Sequence, residues 1–349
     1  MLRPKRLSQA AIAKATGVSR ATVSLILRGG VGASATTQAK VLAAAEKMGY
    51  RPNALVHSIR SGKSRTVGVL VQPHNSYWRD ICYGIHDRLI ESDHLPLFLW
   101  DTHHEETVDE EYALKQIYRL LDRWVDGVIL WPYFASLYAR HLNEFQRRNI
   151  PLVTIHHSIP NFPSDIVESD EAQIASLLST HLRDLGHREI LVVAGPEDVA
   201  WANERYVALQ TELRRTPGTV AHELRLPVAS RSLEQSAAGI LEVLRAKPQI
   251  TAVIGSTDDF ARGAYVAAQA LGWSIPGRLS VVGIADLEAA TTLIPGLTTV
   301  RQDGYALGRQ AAQVELERSA GVISGPPRHF RAPVTLVTRG STARVFAET

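Results

Sequence analysis

The chain has 349 residues, 45% hydrophobic and 21% charged, with a net charge of +3. That is the make-up of a folded globular protein, and it excludes a low-complexity or disordered chain. A single cysteine, Cys82, excludes an intrachain disulfide and fits a reducing compartment. No run approaches the ~18 consecutive apolar residues of a membrane span, and no apolar signal region follows the basic N-terminus, so a cytoplasmic protein with no membrane partner is expected.

The charge is unevenly spread. Residues 1–65 hold 12 Lys or Arg and one acid, Glu46, a net of +11; the remaining 284 hold 26 bases and 34 acids, a net of −8. A basic block that is also patterned to fold is the electrostatic footprint of a phosphate-binding module. Within it, residues 8–28 read as two short helices around a tight turn. Ser8 is suited to cap the first, Ala11, Ile12 and Ala15 form its apolar face, and Gly17 can take the left-handed conformation that ends it. Val18 packs the corner. Ser19 caps a second helix with an apolar face of Val23, Ile26 and Leu27. Helices this short need tertiary support. A third starts at Ser34, with Val41, Leu42, Ala45 and Met48 as its buried stripe. The spacing is that of a helix-turn-helix, whose second helix enters the major groove. A small helical bundle with no nucleic-acid role shares the pattern, but the local charge weighs against it.

Residues 17–24, Gly-Val-Ser-Arg-Ala-Thr-Val-Ser, and residues 43–54, from Ala43 through Gly49-Tyr50-Arg51-Pro52-Asn53 to Ala54, resemble the headpiece of lac repressor family transcription regulators. The resemblance implies a headpiece over 1–51 and a hinge helix and linker over 52–64. It implies base reading by Arg20, Ala21 and Leu25. Arg20 can contact guanine through two hydrogen bonds or, alternatively, a phosphate. Ser8, Ser19, Thr22, Ser24 and Arg28 are the expected backbone contacts. In the hinge, Asn53, Val56, Ile59 and Arg60 are placed at the minor groove, where an apolar wedge kinks DNA. Ile59 stands at the family's wedge leucine, and Val56 stands where a smaller residue is usual.

From Arg65 the grammar changes. Residues 66–71 form a nearly continuous apolar run, as in a buried parallel strand. A helix over 77–92, a strand over 95–100, a helix over 105–123, a strand over 125–132, a helix over 137–148 and a strand over 152–156 follow. After about residue 160 the pattern restarts: helix 172–185, strand 189–194, helix 203–213, strand 220–226, helix 233–245, strand 252–255, helix 259–271 and strand 280–284. Two successive α/β units suggest two lobes and a cleft at the carboxyl ends of their strands.

The resemblance continues at 180–190, 279–283 and 295–300. It implies a two-lobed α/β effector domain over 65–349, like periplasmic sugar-binding proteins, with two doubly wound parallel sheets and three chain crossings. The expected N-lobe is 65–160 plus 288–321. The expected C-lobe is 161–287 plus 322–342, with the third crossing at 321–327 and a last strand over 334–338. With seven residues after Thr342 and no helical tetramerisation tail, a homodimer on a pseudo-palindromic operator of double-stranded DNA is expected.

Strand-exit loops carry a polar and aromatic set: Asn75, Tyr77, Trp78, Asp101, Trp131, His156, Trp201, Arg205, Asp258 and Asp286. Flat aromatic faces with fixed carboxylates and an Arg suit a sugar, though Tyr77, Trp131 and Phe260 could equally be core. Arg205 and Asp258 match the family's positions. His156 stands where the family usually has Asp, and Ala285 replaces the first of a common Asp pair, which points to a less usual or charged sugar. Gly30–Ala35 fits a loose dinucleotide fingerprint but follows a helix rather than a strand. His103-His104 and His156-His157 lack metal-site spacing, so no metal or cofactor is expected. No P-loop or Gly-x-Ser-x-Gly elbow occurs. The function these features imply is a ligand-controlled regulator, most simply a repressor and not an enzyme. An enzyme with a targeting headpiece, or an architectural DNA-binding protein, is the rival.

Overall fold

The computed structural model describes residues 8–27, 30, 32–50, 62–100, 110–132, 142–159, 161–197, 199–227 and 233–345. The chain forms two compact units, Met1–Ser64 and Arg65–Thr349. Among the described residues, no helix is long and apolar enough to cross a membrane.

The first unit holds α1 (Gln9–Thr16), α2 (Arg20–Ile26) and α3 (Ala35–Lys47). Gly17 ends α1 at φ 66°, its N–H donating to the Ala13 carbonyl. The Ser19 hydroxyl accepts from the Thr22 N–H at 3.1 Å, and Ser34 accepts from Thr37 at 3.3 Å, so both are true caps. Ser8 is extended at the N-cap position, but its side chain makes no capping bond. Ile12, Val23, Ile26, Val41 and Ala45 form the core. Two expectations are corrected. Thr16, not Ala15, faces inward, because it sits one turn after Ile12 and its hydroxyl donates to the Ile12 carbonyl at 2.7 Å. Leu42 is 51% exposed, since the inward stripe of α3 passes through Val41 and Ala45, four apart.

The second unit has two six-stranded sheets. In order of chain, the strands are β1 (Thr66–Leu70), β2 (Leu95–Phe98), β3 (Gly127–Leu130), β4 (Leu152–Ile155), β5 (Asp165–Ser169), β6 (Glu189–Ala194), β7 (Val220–Arg225), β8 (Ala252–Gly255), β9 (Ser280–Ala285), β10 (Thr298–Gln302), β11 (His329–Ala332) and β12 (Val334–Val337). The helices are α4 (Ser76–Glu91), α5 (Glu110–Asp122), α6 (Glu171–Asp184), α7 (Ala200–Arg214), α8 (Leu233–Ala246), α9 (Asp258–Leu271), α10 (Glu288–Thr292) and α11 (Gly304–Ser319).

The first sheet runs β11-β5-β4-β3-β1-β2, all parallel. The second runs β12-β10-β9-β8-β6-β7, parallel except for the antiparallel edge pair β10–β12. The strands buried on both faces are the apolar runs the sequence shows, such as β8, buried throughout. The lobe boundaries differ from expectation. β5 belongs to the first sheet, so the chain first crosses near Asp170 rather than at 160. β10 belongs to the second, so the return is at Asp303 rather than 288. β11 returns to the first sheet, and the third crossing is the single residue Pro333, not 321–327. The reason is pairing: β5, β10 and β11 each find a parallel neighbour only in the sheet they join.

In the first lobe α4 and α11 run side by side in parallel. Gly84 faces the Tyr305 carbonyl and Gly308 faces the Ile81 carbonyl so closely that a Cβ at either would collide with backbone. Arg309 donates to both Glu91 carboxylate oxygens at 2.8 Å, Arg88 Nε to Gln313 at 2.7 Å, and the Tyr305 hydroxyl to Asp87 at 3.0 Å.

Candidate functional site

In the first unit, α2 presents Arg20 and Ala21 to solvent, with Thr22 partly exposed. Ser8 and Ser19 are exposed as well. Leu25 is half-buried, its side chain lying over the bare Cα of Gly30. Ser24 is buried and is not on the open face, because it follows Val23 on the inward side of a helix of seven residues. Arg28, Asn53, Val56, Ile59, Arg60 and Asp101 lie outside the described residues.

In the second unit, the cleft between the sheets holds a cavity of about 120 Å³. Its first-lobe wall is aromatic. Asn75 caps α4, its Oδ1 accepting from the Trp78 N–H at 3.2 Å, and so fixes the turn that carries Tyr77 and Trp78. The Trp78 and Trp131 rings lie 4.1 Å apart at 36°, with His74 5.0 Å from Trp131. His156 leaves β4 at φ 71°, and its Nε2 is 3.0 Å from the Tyr77 hydroxyl. Burial, then the Arg205 charge and His157, push the His156 imidazole well below its ordinary range, so it is neutral at pH 7. Burial pushes the Tyr77 hydroxyl up.

The opposite wall comes from α6, α7 and α9. Trp201, Glu204 and Arg205 are spaced i, i+3, i+4 on α7 and share a face. Arg205 is 7% exposed. Its Nε and Nη2 donate to Glu171 at 2.8 and 2.6 Å, and its Nη1 donates to the Ser256 carbonyl at 2.8 Å. Burial works against this charge, and the Glu171 carboxylate outweighs it, holding the guanidinium above its usual range. Glu204 is raised by burial and by the neighbouring Glu168 and Glu171. Thr257, Asp259 and Phe260 open α9, and Ala285, Leu287 and Gln302 complete the lining. Trp201 Nε1 and Gln302 Nε2 are buried donors without a hydrogen-bond partner among the described residues.

Residues 10–53 match the family described as bacterial regulatory proteins, lacI family, and residues 179–342 match the periplasmic binding protein-like domain. The HTH-type transcriptional regulator MalR of Streptomyces coelicolor is 32% identical over 97% of both chains. The chain belongs to the lacI family. It is therefore a DNA-binding transcriptional regulator, with the helix-turn-helix in its first unit. A second relative is the HTH-type transcriptional regulator GalS of Salmonella typhimurium, 29% identical over 95% of both chains. The fold is that of the lac repressor dimer bound to operator and the anti-inducer ONPF, with a TM-score of 0.84 at 24% identity over 97% of this chain and 100% of that one. The CelR–cellobiose complex matches with a TM-score of 0.68 at 23% identity, over 96% and 100%.

Of the sequence-derived cleft residues, Asn75, Tyr77, Trp78, Trp131, His156, Trp201 and Arg205 do come together. Two carboxylates do not. Asp258 is wholly buried behind the lining, accepting from the Leu287 N–H and the Thr299 hydroxyl, each at 2.6 Å. Burial raises it to about 6 against those bonds. Asp286 is held by Arg301 at 2.7 Å and Arg339 at 2.6 Å. Asp286 is turned away by the left-handed backbone at Ala285 and Asp286, where β9 ends, whereas Asp258, the first residue of α9, is held inward by its bonds to the Leu287 N–H and the Thr299 hydroxyl. Sequence reasoning missed His74, Glu171, Glu204, Thr257, Asp259, Leu287 and Gln302. Glu171, Thr257 and Asp259 sit at helix starts that directly follow strand ends, where α/β clefts form, and that position was the available signal. Gln302 ends a strand, β10, whose return to the second sheet gave none.

Proposed function

We propose that the chain acts in the cytoplasm as a homodimeric repressor whose grip on a pseudo-palindromic operator is set by an uncharged carbohydrate in the cleft, and that it does no catalysis. The observation that carries the ligand class is the state of Arg205. All three of its nitrogens already donate, its charge is matched by Glu171, and the neighbouring His156 is neutral. The remaining charged lining is acidic, Glu204 and Asp259. A phosphate or carboxylate entering here meets no unmatched cation among the described residues and would lose hydration without return. A neutral sugar stacks its C–H face on Trp78 and Trp131 and offers acceptors to Trp201 Nε1 and Gln302 Nε2. The solvent-facing Arg20 reads the operator, with Ala21 beside it.

Two measurements test this. Unfolding of the whole chain against paired sugars, each neutral member beside its phosphate and its acid, should show stabilisation by a neutral member, about 2.7 kcal/mol at 100 times its Kd. Stabilisation by the anions alone sinks the ligand class. Operator binding measured by fluorescence anisotropy should weaken by about 1–3 kcal/mol for Arg20→Ala if the side chain reads a base. A loss of the same size on scrambled DNA would make Arg20 a phosphate contact.

A further inference from the structure

The turn joining β9 to α10 is where the second lobe grips the first. Ala285 and Asp286 sit at φ 116° and 56°, in the region that side chains with a Cβ rarely adopt and that persists only where the surroundings enforce it. Asp258 Oδ2 accepts from the Leu287 N–H, and Oδ1 accepts from the Thr299 hydroxyl. Gly283 leaves room for that carboxylate, since a Cβ there would collide with Oδ1. Arg301 and Arg339 hold the Asp286 carboxylate from two sides.

The result reaches across the cleft. Leu287 follows a strand of the second sheet, yet it is 5% exposed and packed in the hydrophobic cluster of the first lobe, with Tyr77 and Trp78. Ala285 packs against the same cluster. The next residue, Glu288, donates its N–H to the Ser76 hydroxyl at the start of α4, 3.3 Å away. Ala285 and Leu287 also line the cleft.

We propose that the 285–288 turn is a latch between the lobes and that Asp258 is its positioning residue, a carboxylate that never meets ligand but holds Leu287 against the first-lobe wall. A molecule that fills the cleft beside Ala285 and Leu287 bears on the same contact that joins the lobes. This holds whatever ligand the cleft takes.

The test needs no ligand. Cysteines placed at the exposed Asp122 on α5 and Glu242 on α8 carry spin labels, with the buried Cys82 left in place. Interlobe distances are then measured by pulsed electron resonance in the full chain. Leu287→Ala and Asp258→Asn should each broaden the distribution and shift it to longer distances. Leu279→Ala, a buried position of the second-lobe core, should lower the unfolding temperature and leave the distribution narrow. If Leu287→Ala and Asp258→Asn behave like Leu279→Ala, the turn is ordinary packing and the latch is wrong. Should Asp258→Asn not fold, Leu287→Ala with Ser76→Ala decides the matter in the same way.

Discussion

Glu171→Gln should destabilise the effector unit by about 3 kcal/mol at pH 7, a loss typical of breaking a buried ion pair from one side. Arg205 keeps its charge when its partner is neutralised, and its side chain is 9% exposed. Glu171 is 24% exposed, which places the effect at the lower end of the range for such pairs. Removing both charges together, as Arg205→Met with Glu171→Leu, should recover most of the loss, since two packed apolar chains need no charge compensation. Urea unfolding of the four-member cycle measures the coupling directly. A single-substitution cost below about 1 kcal/mol, as at a surface pair, would show that solvent screens Arg205, and the case against an anionic ligand would fall with it.

Glu315→Gln should do the reverse and stabilise the protein near neutral pH. Glu315 is wholly buried on α11. It lies against the bare Cα of Gly127, and the Ser319 hydroxyl donates to one of its oxygens. The other oxygen has no partner among the described residues. Burial raises the carboxyl from 4.5 to about 7, with the Asp126 charge adding to the rise. A folded pKa above the unfolded one means that the protonated form is favoured by folding. That contribution is complete below about pH 4.5 and is lost progressively as pH rises to about 7, reaching about 3 kcal/mol. Gln carries no charge to desolvate, so the variant should match the parent near pH 4.5 and exceed it by up to that amount at pH 8. Equal slopes for parent and variant between pH 4.5 and 8 would mean that Glu315 stays ionised in the fold.

The helices and most strands were legible because each is written in a local pattern. Ser19 and Ser34 announce α2 and α3, and the apolar runs of β1, β6 and β8 can only be buried strands. What was not legible was which sheet a strand joins. β5, β10 and β11 have unremarkable sequences, and their membership is decided by partners far away in the chain. The same holds in the cleft. Seven aromatic and polar residues were found from their place after strand ends. Asp258 and Asp286 also follow strand ends, but Asp258 is drawn inward by the distant Leu287 N–H and Thr299 hydroxyl, and Asp286 by left-handed backbone that nothing in the residue types signals.

The paired glycines of α4 and α11 have a mechanical meaning. With backbone against backbone at Gly84 and Gly308, and Arg309, Arg88 and Tyr305 tying the pair along its length, the two helices form one beam. Each has 16 residues, so the beam is about 24 Å long. One end starts at the cleft, where Ser76 receives the latch and Gly304 abuts the Tyr77 carbonyl. Neither helix can slide or tilt without carrying the other. A push on the cleft wall at Ser76 or Tyr77 therefore bears on both helices at once, and both run from the cleft along the lobe.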